Sequence, residues 1–279
     1  MPISLIVSCD DQPGLIHSIS SVLILAKESI SKLEEHVEHG RFFCRVQWQN
    51  DAQWSIAKWQ ETFQPFFYST NATFSFKDHH VPTKIGLFCS KYLHCLYNVL
   101  NHIQMGDLHA SIEFVVSNHI DASAMVKHHG VPFIYLPVDS FSKEMHETQV
   151  MNAIQPIPVD FIGLARYMRI LSPKFLQKNR FPIINVHHSF LPSFIGANPY
   201  QQAHDRGVKL IGATAHFVTS ELDAGPIIHQ QVVNVSHLDS PDRLQQLGKT
   251  AEMDVFLRAL QKQCENKLIE FNGRTVVFN

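Results

Sequence analysis

Charge is scarce in this chain. Only 17% of its 279 residues are Asp, Glu, Lys or Arg, and 23 basic against 25 acidic side chains leave a formal charge of −2 with histidine neutral. Without a basic excess there is no electrostatic footprint for a phosphate backbone, which argues against a nucleic-acid protein. Long apolar runs are missing too: none reaches the length of a membrane-spanning helix. The opening MPISLIVSCDDQPG has no basic leader and turns acidic at once, so a secretory signal is not expected there. The cysteines, at 9, 44, 89, 95 and 264, are odd in number and form no C-x-x-C pair. Reduced, buried thiols in a cytoplasmic protein are the expectation. No G-x-S-x-G turn supplies a serine nucleophile, and no H-x-x-x-H helix supplies a metal site.

What is present is an apolar fraction of 45%, enough for a sizeable core, and 18 histidines, whose charge grows as pH falls below neutrality. The length suits two domains. Residues 1–80 read as a small α+β unit. ISLIVSC (3–9) is a strand, DDQPG (10–14) a turn, and Leu15, Ile19, Val22, Leu23 and Ala26 share one face of a helix over 15–27. RFFCRVQW (41–48) alternates, with Phe42, Cys44, Val46 and Trp48 on one side. A second helix at about 53–65 and the strand ATFSFKD (72–78) complete a ferredoxin-like βαββαβ order.

HHVPTK (79–84) reads as the link to a second domain over 84–279. KIGLFCS (84–90), SIEFVVSN (111–118), VPFIYLPV (131–138), VDFIGLA (159–165) and FPIINV (181–186) are short, nearly continuous apolar runs separated mostly by amphipathic stretches. Strands apolar on both faces, alternating with helices, imply a Rossmann-like, mostly parallel sheet covered on both sides. Longer strands within 208–220 and 225–235, a helix at about 240–264 and the hairpin LIEFNGRTVVFN follow.

In such sheets ligands sit beyond the carboxyl ends of the strands. NVHHSFLPSFIG (185–196) lies there. The doubled histidine raises three readings: a metal site, a catalytic site, or a loop that contains histidine. Asn185 and His187 are two apart and face the same way in extended chain, whereas His188 faces elsewhere. Asp223 lies in the turn TSELDAGPII (219–228) between two strands. An amide donor, an imidazole and a carboxylate suffice for acyl chemistry: the first holds a carbonyl oxygen, the second an oxyanion, the third orients the imidazole and moves protons. A structural histidine and a turn-forming aspartate remain the alternative.

The segment INVHHSFLPSFIGANPYQQAHDRGVKLIGATAHFVTSELDAGPII (184–228) resembles the formyltetrahydrofolate-dependent formyltransferase and hydrolase family. That family's Asn-x-His, Leu-Pro, Gly and L-D-x-G-P-I positions fall on Asn185, His187, Leu191, Pro192, Gly196 and Asp223. LARYMRIL (164–171) resembles the family's loop whose backbone borders the pterin. The resemblance therefore implies Asn185, His187 and Asp223 as catalytic residues. It implies substrate contacts at Arg166, Met168, Arg169, Leu171, Gly196, Ser220 and Glu221, and no cofactor or metal. CDDQPGLI (9–16) in its βαββαβ setting looks like an ACT domain, and an ACT domain ahead of this catalytic domain is the arrangement of the formyltetrahydrofolate deformylase family. That implies a homo-oligomer, dimer or tetramer, and a small amino-acid effector near Asp11 and Gly14. Against the effector, AKESIS (26–31) stands where a Gly-rich turn is expected.

A relative that formylates a phosphoribosyl amine needs a Gly/Ser-rich phosphate cradle between the first strand and helix of this domain. Here that loop reads FCSKYLHCLYN (88–98), with no glycine pair, and resembles the deformylase loop, with Leu93 departing from an expected acidic residue and His94 retained. The expectation is hydrolysis of 10-formyltetrahydrofolate to tetrahydrofolate and formate, supplying formate for purine biosynthesis and balancing one-carbon pools. Formyl transfer to an amine is the second reading. A sensor built on a dead catalytic domain is the third, and the intact Asn185, His187 and Asp223 weigh against it.

Overall fold

The computed structural model describes residues 2–138, 142–192 and 199–279. The chain divides into two compact units: residues 1–82 with 262–269 and 276–279, and residues 83–261 with 270–275.

The first unit runs β1 (Ile3–Asp10), α1 (Leu15–Leu25), β2 (Ile30–Glu38), β3 (Arg41–Trp48), α2 (Ile56–Thr70) and β4 (Thr73–Asp78). Its sheet has the order β2-β3-β1-β4, every neighbour antiparallel. The alternation in β3 sends Phe42, Cys44, Val46 and Trp48 into the core, where they meet Leu15, Ile19 and Leu23 of α1 and Trp59, Phe63 and Phe67 of α2. The opposite face of β3 is covered as well. Arg45 is 2% exposed and donates to the Asn266 carbonyl at 2.9 Å and the Glu265 carbonyl at 3.0 Å, so the C-terminal segment satisfies its charge-bearing head. α2 starts later and ends later than its sequence suggests. The Ser55 hydroxyl caps it by accepting from the Lys58 amide, and the aromatic stripe Trp59, Phe63, Phe66, Phe67 carries it past Pro65. It stops at Asn71, whose φ of 48° turns the chain out of the helix.

The second unit contains β5 (Thr83–Cys89), α3 (His94–Met105), β6 (Ala110–Ser117), α4 (Ser123–His128), β7 (Phe133–Tyr135), α5 (Lys143–Ile154), β8 (Phe161–Ala165), α6 (Pro173–Lys178), β9 (Ile183–His187), α7 (Pro199–Asp205), β10 (Leu210–Phe217) and β11 (Ile227–Asn234). α8 (Pro241–Cys264) and the hairpin β12 (Leu268–Phe271) and β13 (Arg274–Val277) close the chain. The sheet order is β11-β10-β9-β8-β5-β6-β7. β9, β8, β5, β6 and β7 are parallel; β10 and β11 run antiparallel at one edge. β7 is shorter than its apolar run because Pro132 and Pro137 flank it and cannot donate to a ladder. The chain builds outward from β5 to β7, then returns to lay β8 on the other side of β5. That reversal places the carboxyl ends of β8 and β9 beside a crevice.

All three tryptophans, Trp48, Trp54 and Trp59, belong to the first unit, so their fluorescence reports on it alone. Phe63, fully buried among Trp48, Trp59, Phe67 and Phe76, is a core contact there. Phe63→Ala is expected to cost about 3–5 kcal/mol of that unit's stability, seen as a lower urea midpoint of the tryptophan signal. An unchanged midpoint would contradict the assignment of this core.

Candidate active site

A cavity of about 360 Å³ opens beyond the carboxyl ends of β8 and β9, lined by the segments 164–171, 185–188 and 216–223. Arg166, Met168, Arg169, Leu171, Ser220 and Glu221 line it together with Asn185, His187 and Asp223. Gly196 lies outside the described residues. Asp11 and Gly14 belong to the first unit. Asp11 is exposed and donates its amide to the Gly40 carbonyl at 2.9 Å, and Gly14, at φ 90°, starts α1.

The antiparallel joining of β9 and β10 builds the centre. Asn185 stands opposite His216, and His187 opposite Thr214. After β10 the chain loops and comes back as β11, with the Phe217 amide donating to the Pro226 carbonyl at 2.9 Å. This return is tight: a Cβ on Gly225 would stand 1.8 Å from the Phe217 carbonyl oxygen, so only glycine fits. Asp223, at φ 55°, is turned back toward the strands at a backbone cost typical of functional sites. Its Oδ2 lies 3.2 Å from His187 Nδ1, and its Oδ1 3.6 Å from His216 Nε2.

Burial pushes the Asp223 carboxyl up, but hydrogen bonding and charge from His187, and then from His216, outweigh it and hold the group well below the usual carboxylate range. It is a carboxylate at any physiological pH. His216 Nδ1 donates to the Phe217 carbonyl at 2.8 Å, and its Nε2 lies 3.2 Å from Asn185 Nδ2. The same Nε2 faces both Asn185 and Asp223, so His216 couples the amide to the carboxylate. His187 is 6% exposed, and its Nε2 is buried with no hydrogen-bond partner among the described residues. A buried, unpaired imidazole nitrogen beside a carboxylate-bound partner nitrogen is a proton acceptor or donor awaiting a substrate.

The chain beyond His187 is pinned from below. Thr214 Oγ1 receives the Leu191 amide at 3.0 Å and donates to the Ser189 carbonyl at 2.9 Å, while Gln230 donates to the Leu191 carbonyl at 3.0 Å. On the other wall, the Met168 amide donates to Ser90 Oγ, which itself donates to Asn118 Oδ1 at 2.7 Å. Ser90 therefore braces the 166–171 loop.

One reading of an individual side chain changes, and His94 is placed. His188 does not face away: it borders the cavity, its ring 5.0 Å from that of His187 and 6.3 Å from that of Tyr200. The chain leaves strand geometry at His187, so strict alternation ends there. His94 does not line the cavity. It meets Glu252 Oε2 at 2.7 Å, and Glu252 also accepts from the Tyr200 hydroxyl at 2.6 Å and lies 3.3 Å from Arg166 Nε. The ligand-type atoms of His94, Cys95 and Glu252 lie within 4.8 Å of one another. This donor set suits an ion-pair network better than a metal, because both Glu252 oxygens are already engaged and burial drives the Cys95 thiol well above its ordinary value. Sequence reasoning missed Glu252, Tyr200 and Tyr92, and did not place His216 at the site. The available signal was an acid on the apolar stripe of α8, beside Val255, Phe256 and Ala259.

Burial, with the positive charges of Arg166 and His187, pushes the His188 imidazole down to about 4, and burial beside Arg45 does the same to His79. Free histidine titrates near 6.5, so the unfolded chain takes up protons that both folded imidazoles refuse. Their contribution to stability is full above about 6.5 and falls as pH drops toward about 4. His188→Gln is expected to flatten the decline of melting temperature across this window; an identical slope in parent and variant would contradict it.

Comparison with known proteins extends the geometry. The family model described as formyl transferase matches residues 83–260. A formyltetrahydrofolate deformylase of Bacillus subtilis (strain 168) is 39% identical over 99% of this chain and 93% of that protein. One from Synechocystis sp. is 37% identical over 99% and 98%. The crystal structure of a formyltetrahydrofolate deformylase from Pseudomonas syringae pv. tomato superposes with a TM-score of 0.96 at 37% identity, covering 100% of this chain and 94% of that one. Family likeness thus extends beyond the catalytic unit to the small N-terminal one, and the chain belongs to the formyl transferase family, among its formyltetrahydrofolate deformylases.

Proposed function

We propose that the protein hydrolyses 10-formyltetrahydrofolate to tetrahydrofolate and formate, with water as the formyl acceptor. The observation that carries this reading is His187, its Nδ1 on the Asp223 carboxylate and its buried Nε2 without a partner among the described residues, in a cavity that it lines with Asn185. The folate lies along the 166–171 loop and the 219–223 turn, and its formyl group meets Asn185 and His187. Asp223 positions the attacking water and helps remove its proton, directly or through His187. As the water oxygen bonds to the formyl carbon, the carbonyl oxygen becomes an oxyanion. The Asn185 N–H and the protonated His187 stabilise it. Proton transfer to N10 then lets the carbon–nitrogen bond break, releasing tetrahydrofolate, formate and the second proton of water. Glycine at 225 matters to this account, because it lets the turn return close enough to bring Asp223 to His187.

The tight loop after β5 supports water over a phosphorylated amine as acceptor. Ser90 is committed to Asn118 and the Met168 amide, and no glycine there permits a phosphate's close approach. The formate formed is available to reactions that consume one-carbon units, purine biosynthesis among them. No helix among the described residues is long and apolar enough to cross a membrane. We further propose that the first unit pairs with copies of itself through its sheet. For a small amino acid the turn at Asp11 and Gly14 is the candidate site. Calorimetric titration with glycine and with methionine tests this: heat from either supports an effector, and silence from both leaves the unit a pairing platform.

Purified protein given 10-formyltetrahydrofolate and no other acceptor is expected to yield tetrahydrofolate and formate; turnover only with an added amine would establish transfer instead. Asn185→Ala, which removes one oxyanion donor, should lower kcat about a hundredfold, roughly 3 kcal/mol of barrier. Asp223→Asn should be at least as severe, and hydrolysis at the parent rate would remove Asp223 from the mechanism. Activity is expected to survive exhaustive chelation; loss restored by zinc would establish a metal role.

A further inference from the structure

Arg166 is not explained by a backbone that borders the pterin. It follows β8 directly, its side chain is 7% exposed, and its φ of 60° is a conformation that side chains other than glycine rarely adopt. Its Nε lies 3.3 Å from Glu252 without forming a hydrogen bond, and it is buried with no hydrogen-bond partner among the described residues. A buried guanidinium ordinarily has its donors satisfied. This one borders the cavity that holds Asn185 and His187.

The surroundings keep the fork in place. Glu252, 1% exposed, is itself fixed by the Tyr200 hydroxyl at 2.6 Å and His94 at 2.7 Å. Gly248 leaves room for that hydroxyl, since a Cβ there would stand 2.0 Å from it. Tyr92 lies under the guanidinium, its ring centre 5.2 Å from Cζ. A positive charge held by a buried acid behind it and a ring beneath it is preorganised for an anion.

We propose that Arg166 is the carboxylate-binding group of the cavity and that its ligand is formate leaving Asn185 and His187. The proposal rests on the hydrolysis reading above. The planar fork matches the two oxygens of a carboxylate, which the neutral formyl group of the substrate lacks. The cation lies on the side of the reacting group: His188 neighbours His187, and next to His188 comes Tyr200, which holds the Glu252 beneath Arg166. The same fixed charge disfavours a protonated amine in that part of the cavity, so water meets less competition as acceptor.

The test compares formate inhibition in the parent enzyme, Arg166→Gln and Tyr92→Leu at constant ionic strength, with KM for 10-formyltetrahydrofolate recorded in each. Saturation-transfer NMR of formate on the unliganded proteins gives a readout without turnover. Glutamine at the same φ carries a similar backbone cost, so the comparison isolates the guanidinium. Arg166→Gln is expected to raise the formate inhibition constant at least about tenfold, by more than it raises KM, and to abolish the NMR signal. Tyr92→Leu, at an exposed ring, should weaken formate by a smaller factor. Equal formate affinity in parent and Arg166→Gln would overturn the proposal. So would a raised KM with unchanged formate binding, because the carboxylate recognised would then belong to the folate. If Arg166→Gln does not fold, Arg166→Lys and Tyr92→Leu carry the same comparison. No turnover by the parent enzyme would refute the hydrolysis reading instead, and the NMR arm would still decide whether Arg166 binds formate.

Discussion

The contact between Asp223 and His187 governs the architecture of the site. It joins a strand end to a turn 36 residues later in the chain, and several otherwise costly features exist around it. Asp223 accepts a left-handed backbone, Gly225 gives up its side chain, and the chain, which leaves antiparallel β10 beside Ile184 near the start of β9, turns back to bring the carboxylate to His187. Once the carboxylate is in place, one imidazole nitrogen is committed and the other, buried, has no partner among the described residues. The ionised state of Asp223 follows from the same contact, since its histidine partners more than reverse the effect of burial.

A second buried carboxylate organises the neighbouring wall. Glu252 gathers His94, Tyr200 and Arg166, three side chains from separate parts of the fold. Burial pushes its carboxyl up, and the hydrogen bond from His94, the charge of Arg166 and the hydrogen bond from Tyr200 reverse this, so it stays ionised. Losing one partner from such a network costs more than making the pair contributes, because the remaining charge stays buried. The two carboxylates thus divide the work. Asp223 presents a histidine to the reacting group, and Glu252 holds an arginine beside it.

Much of this was legible in the chain. Continuous apolar runs gave the parallel strands, because a strand covered on both faces has no polar side to show. The spacing Asn185-x-His187 placed two side chains together, and the turn chemistry of L-D-x-G-P-I marked Asp223. What stayed hidden depends on register and on distant pairing. That His216 stands opposite Asn185 follows only once β9 and β10 are aligned, and a one-residue slip would have turned it to the other face. Glu252 meets His94 across 158 residues, a separation no local pattern encodes. His188 was misread because alternation was extended beyond the last strand residue, and α2 runs past its expected end near residue 65 because the aromatic stripe continues through Pro65.

The central claim is that this Asn-His-Asp site delivers water to a formyl carbon. Turnover of 10-formyltetrahydrofolate in water enriched in oxygen-18 tests it most directly. The account predicts formate carrying one labelled oxygen, formed without any amine present and lost in Asp223→Asn. Unlabelled formate, or no formate until an amine is added, would contradict it.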